Sequence, residues 1–308
     1  MIKYYKTIAD RTVAIQEYSP CCWVNCISPT EEEINYLIGK FALDPEFVRS
    51  ALDEEESSHV DSENNNVLMI VDSPVVNKAG RNLTYYTMPL SIIITSRDVI
   101  TISVKENSII DEFAEGLIRN VNIEEKNRFA LQIMLRMAGK YLQYLKQINK
   151  ITERVEEKLK KTMKNEELMQ FLEIEKSLVY FTASLRAIRG MIGKVRRGRY
   201  VKFSEEEHEL IEDLSIEFTQ AQEMSEIYMS ILSSTMDTFS SVISNNLNVV
   251  MKILASLTLI LSMPTIVSGI YGMNNPGIPL MEYWWAPFII MLVSSLGTWA
   301  ILKKKNMI

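Results

Sequence analysis

At 308 residues, 47% hydrophobic and 23% charged, the chain is long enough for more than one core and too charged to lie wholly in a membrane. Its 33 basic and 39 acidic residues give a net charge of −6, which argues against nucleic acid, whose phosphates must be neutralised by Lys and Arg. Three cysteines (Cys21, Cys22 and Cys26) suit a reducing cytoplasm rather than a disulfide scaffold.

Taken in chain order, Met1 to Lys6 is too polar for a secretion signal. Thr12 to Tyr18 and Cys22 to Ile27 read as strands. Ser28-Pro29-Thr30-Glu31 reads as a helix start, with Ser28 as N-cap, Pro29 at the first helical position and Glu31 closing the cap. Asp44-Pro45 opens a second short helix. Val67 to Val71, Tyr85 to Thr95 and Val99 to Val104 are β-branched or aromatic runs, with Ser96-Arg97-Asp98 as a hairpin turn. These elements make an α/β domain over residues 1–122. The acidic run Asp53-Glu54-Glu55-Glu56, with Asp61 and Glu63, reads as a solvated loop. Cys22, Val24 and Cys26 share one strand face, and small buried hydrophobes account for them better than a soft-metal site, since no fourth ligand is evident.

Glu124 to Val201 contains no proline and four glycines, with apolar residues at three- and four-residue spacing. This predicts an antiparallel pair of long helices over 123–203, breaking near Thr162 to Glu166. Ser204, followed by Glu205-Glu206-Glu207, caps a third helix. Nothing breaks that helix before Pro264, so it is expected to run over 204–271 as a stalk entering the bilayer at about residue 250, roughly 100 Å in all at 1.5 Å per residue. Ile253 to Tyr271 is nineteen residues without a charge and Tyr283 to Leu302 another twenty, each enough to cross a bilayer core of ~30 Å. Residues 272–282 form the connecting loop, 283–302 the second span and 303–308 a basic tail. Lys252 and Lys303 to Lys305 flank the spans while the loop carries no Lys or Arg, so the positive-inside bias puts both termini in the cytoplasm. The fold class is therefore α+β: an N-terminal α/β domain, a coiled-coil-like helical stalk and two C-terminal transmembrane helices.

One stripe on the third helix carries the functional signal. Strict 3-and-4 steps back from the loop give Gly269, Thr265, Ser262, Thr258, Ala255, Met251, Asn248, Ser244, Ser241 and Asp237. A soluble coiled coil would place Leu and Ile on such a stripe. Small residues here would also serve plain close packing of membrane helices. Asn248 and Asp237 on the same line are costly in a dry interface and natural along water. The stripe thus predicts a water-filled axis surrounded by several copies of the helix.

The stripe ends at Tyr271-Gly272-Met273-Asn274. Together with Asn248-Val-Val-Met251-Lys252-Ile-Leu254, the terminal lysines and the long preceding helix, this motif resembles the CorA family of magnesium channels, specifically from about Asp237 onward and in layout before it. The resemblance implies five subunits around one pore formed by the first span. Gly272, Met273 and Asn274 would form the outer selectivity ring, with Tyr271 beside it, and Asn248 an inner polar ring. Met251 and Leu254 would form a hydrophobic constriction, with Asp237 below. Asp213 falls where the family places a carboxylate of an intersubunit divalent-cation sensor, its partner unassigned. Asn274, Asn248, Asp237 and Asp213 would thus meet the metal.

The chain departs from the family pattern in its loop, where Glu282 is the only acid, and at Ser262, where the family often has Met. The implied function is a homopentameric Mg²⁺ channel in the cytoplasmic membrane, passing Co²⁺ or Ni²⁺ as well, gated by intracellular divalent cation and using no organic cofactor. A proton-coupled zinc transporter of the ZntB type shares the motif and layout. A membrane-anchored scaffold or sensor that conducts nothing is the alternative from another class. The sequence has no G-x-x-x-x-G-K-[ST] loop, so neither ATP-driven pumping nor a nucleotide partner is expected, and no nucleophile and base constellation suggests an enzyme.

Overall fold

The computed structural model describes residues 1–9, 11–77, 83–162, 165–273, 277–280 and 282–307, less the side chains of 162 and 165. The chain divides into two compact units, Met1–Ser233 and Ser234–Ile308.

The first unit is built on one seven-stranded sheet in the order β2-β1-β3-β7-β6-β5-β4. Its strands are β1 Ile2–Ile8, β2 Arg11–Ile15, β3 Trp23–Ile27, β4 His59–Glu63, β5 Asn66–Asn77, β6 Thr84–Ile94 and β7 Val99–Ser103. Every pairing is antiparallel except β3 with β7, in which Val24 faces Ile100 and Cys26 faces Ile102. Two short helices, α1 Glu31–Phe41 and α2 Pro45–Ser50, supply Leu37, Phe47 and Val48 to a core with Cys22, Val24, Cys26, Leu68, Ile70, Ile93, Ile100 and Ile102. Cys22 and Cys26 are thus small core hydrophobes. Burial pushes the Cys22 thiol up to about 11 and that of Cys26 to about 12, so neither offers a thiolate near neutrality.

Three sequence readings need correction. The first helix is capped by Thr30, whose hydroxyl accepts from Glu33 N while Glu33 accepts from Thr30 N. Ser28 cannot be that cap, because its N–H is bonded to Ser103 O at 2.8 Å and its φ of 46° closes the end of β3. Asp61 and Glu63 lie in β4, paired with Leu68 and Asn66, so that part of the acidic run is an edge strand. Finally, β5 continues past Val71 through Pro74 to Asn77. Asp72 faces Pro89 and Pro74 faces Thr87, positions of one parity in the ladder, and Asp72 N turns away to Ser58 Oγ at 2.9 Å. Both prolines therefore sit where no inter-strand N–H is required.

The long helices are α4 Lys126–Thr162, α5 Asn165–Val195 and α6 Glu205–Tyr271, preceded by the short α3 Ser108–Ala114 and followed by α7 Ala286–Lys304. α6 starts behind Ser204, whose Oγ accepts from Glu207 N while Glu207 binds Ser204 N. Within the first unit, rings cement helices to sheet. Trp23 meets Phe129 at 5.3 Å, and Tyr141 meets Phe181 at 5.0 Å and Phe218 at 6.2 Å. The buried Trp23 indole donates to Thr101 Oγ1 at 2.8 Å, and that hydroxyl donates to Asn25 Oδ1 at 3.1 Å. The α+β class with two apolar C-terminal helices is what the structure contains.

Candidate ion pathway

The second unit holds the last part of α6 and all of α7, and both helices are long and apolar enough to cross a membrane. Met251, Leu254, Leu257, Leu261, Phe288, Leu292, Val293 and Leu296 are each more than half exposed in the chain, a surface that water would not tolerate and a bilayer would. Trp284, 81% exposed, and the ring pair Tyr283–Trp285 stand at one end of α7. Lys303 lies over the Trp299 ring at 4.9 Å near the other, the arrangement of interface anchors.

α6 passes through Pro264 without ending. Between residues 250 and 271 its buried side chains are Ser256 and Val267. Ser256 Oγ donates to Met307 O at 3.1 Å, so this face is covered by chain from beyond α7. At ~100° per residue, Ser256 and Val267 share a face that lies roughly 100–160° around the helix from the neighbouring stripe positions. The stripe itself stays largely uncovered. Asp237, Ser241, Ser244, Asn248, Met251, Ala255, Thr258, Thr265 and Gly269 are exposed, Ser262 and Tyr271 are half-buried, and Gly272 and Met273 are exposed. Leu254, one position off the stripe, is exposed too.

Four of the five Ser and Thr hydroxyls on the stripe share one geometry. Ser241 Oγ donates to Asp237 O at 3.0 Å, Thr258 Oγ1 to Leu254 O at 2.8 Å, Ser262 Oγ to Thr258 O at 2.7 Å and Thr265 Oγ1 to Leu261 O at 3.3 Å. Each hydrogen is spent on the helix's own carbonyl, which leaves the oxygen lone pairs as the outward-facing groups. The seam therefore presents acceptors, the polarity that suits a cation carrying its water.

At the helix end Gly272 N still bonds Ser268 O at 2.9 Å and Met273 N bonds Ile270 O at 3.2 Å. A Cβ on Gly272 would stand 3.2 Å from Ser268 O and 3.6 Å from Gly269 O, whereas one on Gly269 meets nothing within 4 Å. Tyr271 Oη donates to Pro279 O at 2.9 Å, a tie across the loop that sequence reasoning missed because its acceptor is a backbone carbonyl. Asn274, the remaining residue of the motif, lies outside the described residues. Asp213 is also on α6, exposed, within the first unit. No cluster of three His, Cys, Asp or Glu side chains able to hold a metal occurs among the described residues.

Residues 19–304 match the family model described as CorA-like Mg2+ transporter protein. The chain belongs to the CorA family. A relative from Methanocaldococcus jannaschii, named cobalt/magnesium transport protein CorA, is 28% identical over 278 residues, 88% of this chain and 86% of that protein. The complete structure of the CorA magnesium transporter from the same organism matches with a TM-score of 0.86 at 24% identity, covering 100% of this chain and 99% of that one. The ZntB cytoplasmic domain from Vibrio parahaemolyticus has the same fold over 79% of this chain and 98% of its own length, with a TM-score of 0.61 at 12% identity. Membership in the CorA family makes this a membrane protein that transports divalent cations, not an enzyme.

Proposed function

We propose that the protein is a homopentameric Mg²⁺ channel of the cytoplasmic membrane, with both termini cytoplasmic and its pore lined by the first span. The observation that carries this reading is the largely uncovered seam of acceptor oxygens on α6, from Ser241 through Thr258, Ser262 and Thr265. Mg²⁺ dehydrates reluctantly and keeps several waters, whose outward hydrogens seek acceptors. In this reading Gly272, Met273 and Asn274 select at the outer mouth, and Asn248 forms an inner ring. Met251 and Leu254 close the path by dewetting, with Asp237 below them. Residues 1–122 and 123–203 form the cytoplasmic part, 250–271 and 283–302 the spans, and 272–282 the external loop. Asp213 repels its counterparts in neighbouring copies until intracellular Mg²⁺ binds and favours the closed state. Co²⁺ and Ni²⁺ pass by the same route.

A second reading, proton-coupled zinc transport, is favoured by the fold shared with ZntB and by a loop whose single acid is Glu282. Purified protein in liposomes with a Mg²⁺-sensitive dye inside tests the first. Flux at low internal Mg²⁺ should exceed that of empty vesicles and fall in Asn274→Ala. Wild type matching both controls would sink the channel reading and leave the non-conducting scaffold. Zn²⁺ uptake that responds to a pH gradient, with no Mg²⁺ uptake, would favour the second.

A further inference from the structure

The turn joining α5 to α6 reads Arg196-Arg197-Gly198-Arg199-Tyr200-Val201-Lys202, a basic cluster in a chain of net charge −6. Part of it has an ordinary explanation. Lys194, Arg196 and Arg197 sit at the C-terminal end of α5, where the helix dipole favours cations, and Arg196 also faces Glu212 at 3.8 Å. Arg199 and Lys202 are beyond that end. Gly198, at φ 67°, turns the chain away while its N–H bonds Val195 O at 3.0 Å.

Arg199 and Lys202 instead line a cavity of about 550 Å³ together with Lys126, Asn65, Ser96 and Tyr200, and no carboxylate among the described residues lines it. Its volume falls within the ~300–1,000 Å³ of small-molecule sites. Lys126 enters half-buried, its ammonium donating to Thr95 O at 2.8 Å and Ser96 O at 2.6 Å. Those acceptors are neutral, so they orient the ammonium without cancelling its charge, and its third hydrogen remains. Asn127 Nδ2 donates to Lys202 O at 3.3 Å and fixes that side of the rim. Three acids close by in sequence are engaged elsewhere. Glu125 and Glu206 face Arg128 at 3.3 and 3.4 Å, and Glu207 binds Ser204 N at 2.8 Å.

We propose that this cavity binds a phosphate-bearing anion. The Arg199 guanidinium grips phosphate oxygens through its planar fork, and Lys126 and Lys202 supply point charges on either side. The phosphate belongs either to a free polyphosphate or to a nucleotide, with Tyr200 beside the base in the second case. The missing P-loop removes the cradle of backbone N–H groups as a way of holding phosphate, and the nucleotide partner not expected on that ground would here be held by side-chain charges instead.

The test is calorimetric titration of the full chain in detergent with tripolyphosphate and, separately, with ATP. The buffer contains EDTA and no Mg²⁺, so that chelation of metal contributes nothing. Saturable binding is expected, at least tenfold weaker in Arg199→Gln/Lys202→Gln and unchanged within threefold in the charge-matched Lys194→Gln/Arg197→Gln. Thermal melts establish that both variants are folded. ATP binding more tightly than tripolyphosphate assigns the site to a nucleotide; equal or weaker binding assigns it to the phosphates alone. Absence of saturation with both ligands, or equal weakening in the two double variants, overturns the proposal.

Discussion

Alanine at Gly272 and at Gly269 separates strain inside one chain from events along the shared axis. On Gly272 the new methyl would stand 3.2 Å from Ser268 O, tighter than ordinary contact, which begins at 3.4 Å. That carbonyl also holds the last helical bond, from Gly272 N at 2.9 Å, so it cannot withdraw without weakening the turn that leads into the motif. Overpacking costs about 1–3 kcal/mol, and an exposed helix end relaxes enough to take the low end, about 1 kcal/mol per chain. In the proposed ring of five copies the strain would repeat at every subunit. Mg²⁺ flux into liposomes should fall at least tenfold in Gly272→Ala, with assembly unchanged by size-exclusion chromatography. Gly269→Ala meets nothing within 4 Å in its own chain. Any loss of flux there reports only what lies outside that chain, and the melting temperature should stay at wild type. Gly272→Ala conducting within twofold of wild type in an intact assembly would refute the claim that the backbone at this point is critical to passage.

Three other expectations follow from single contacts. Tyr271→Phe removes the bond to Pro279 O, worth about 1 kcal/mol where water can replace both partners. Apparent affinity for external Mg²⁺ should fall by at most about fivefold, since ~1.4 kcal/mol is tenfold; a loss beyond tenfold would mean the hydroxyl does more than hold the loop. Trp23→Phe opens a small cavity and takes the donor from Thr101 Oγ1, costing about 2–3 kcal/mol. Thr101→Val alone should cost as much, by orphaning both Trp23 Nε1 and Asn25 Oδ1, and the double variant should cost clearly less than the sum; additive losses on thermal unfolding would disprove the relay. Burial by itself raises the Glu112 carboxyl, but hydrogen bonds from Arg136 and Lys140 outweigh it and hold it below 4.5. A depressed carboxylate stabilises the fold above its unfolded pKa, and that contribution is lost as pH falls through the folded value. Glu112→Gln should therefore cost about 1–2 kcal/mol at pH 7 and flatten the decline in melting temperature below pH 4.5; a variant that melts like wild type at pH 7 would contradict this.

The apolar spans, the helix beginning behind Ser204 and the small-residue stripe were legible because each is a local pattern in one element. What escaped depended on partners far along the chain. β1 looks merely polar, yet five of its residues pair with β2 and four with β3, and only Tyr5 among them is buried. β4 carries acids because an edge strand needs ladder bonds more than apolar side chains, and Val60 alone is buried there. Ser28 and Thr30 are both followed three residues later by an acid, so spacing alone cannot choose between them. The ladder bond from Ser28 to Ser103 makes the choice. At the pathway, residue identity gave the stripe, but the direction of its hydroxyl hydrogens and the face covered near Met307 required coordinates.

The orientation of those hydroxyls bears on protons as well as on metal ions. A hydroxyl passes a proton along a chain only if it accepts on one side and donates forward on the other, as water does. Thr258, Ser262 and Thr265 each point their hydrogen back into α6, so none has one to hand onward. Releasing it means giving up a helix bond at each step, about 1 kcal/mol apiece. In the proposed pore such a wall would cradle a hydrated ion and still be a poor wire, so any proton movement would have to run through the water itself.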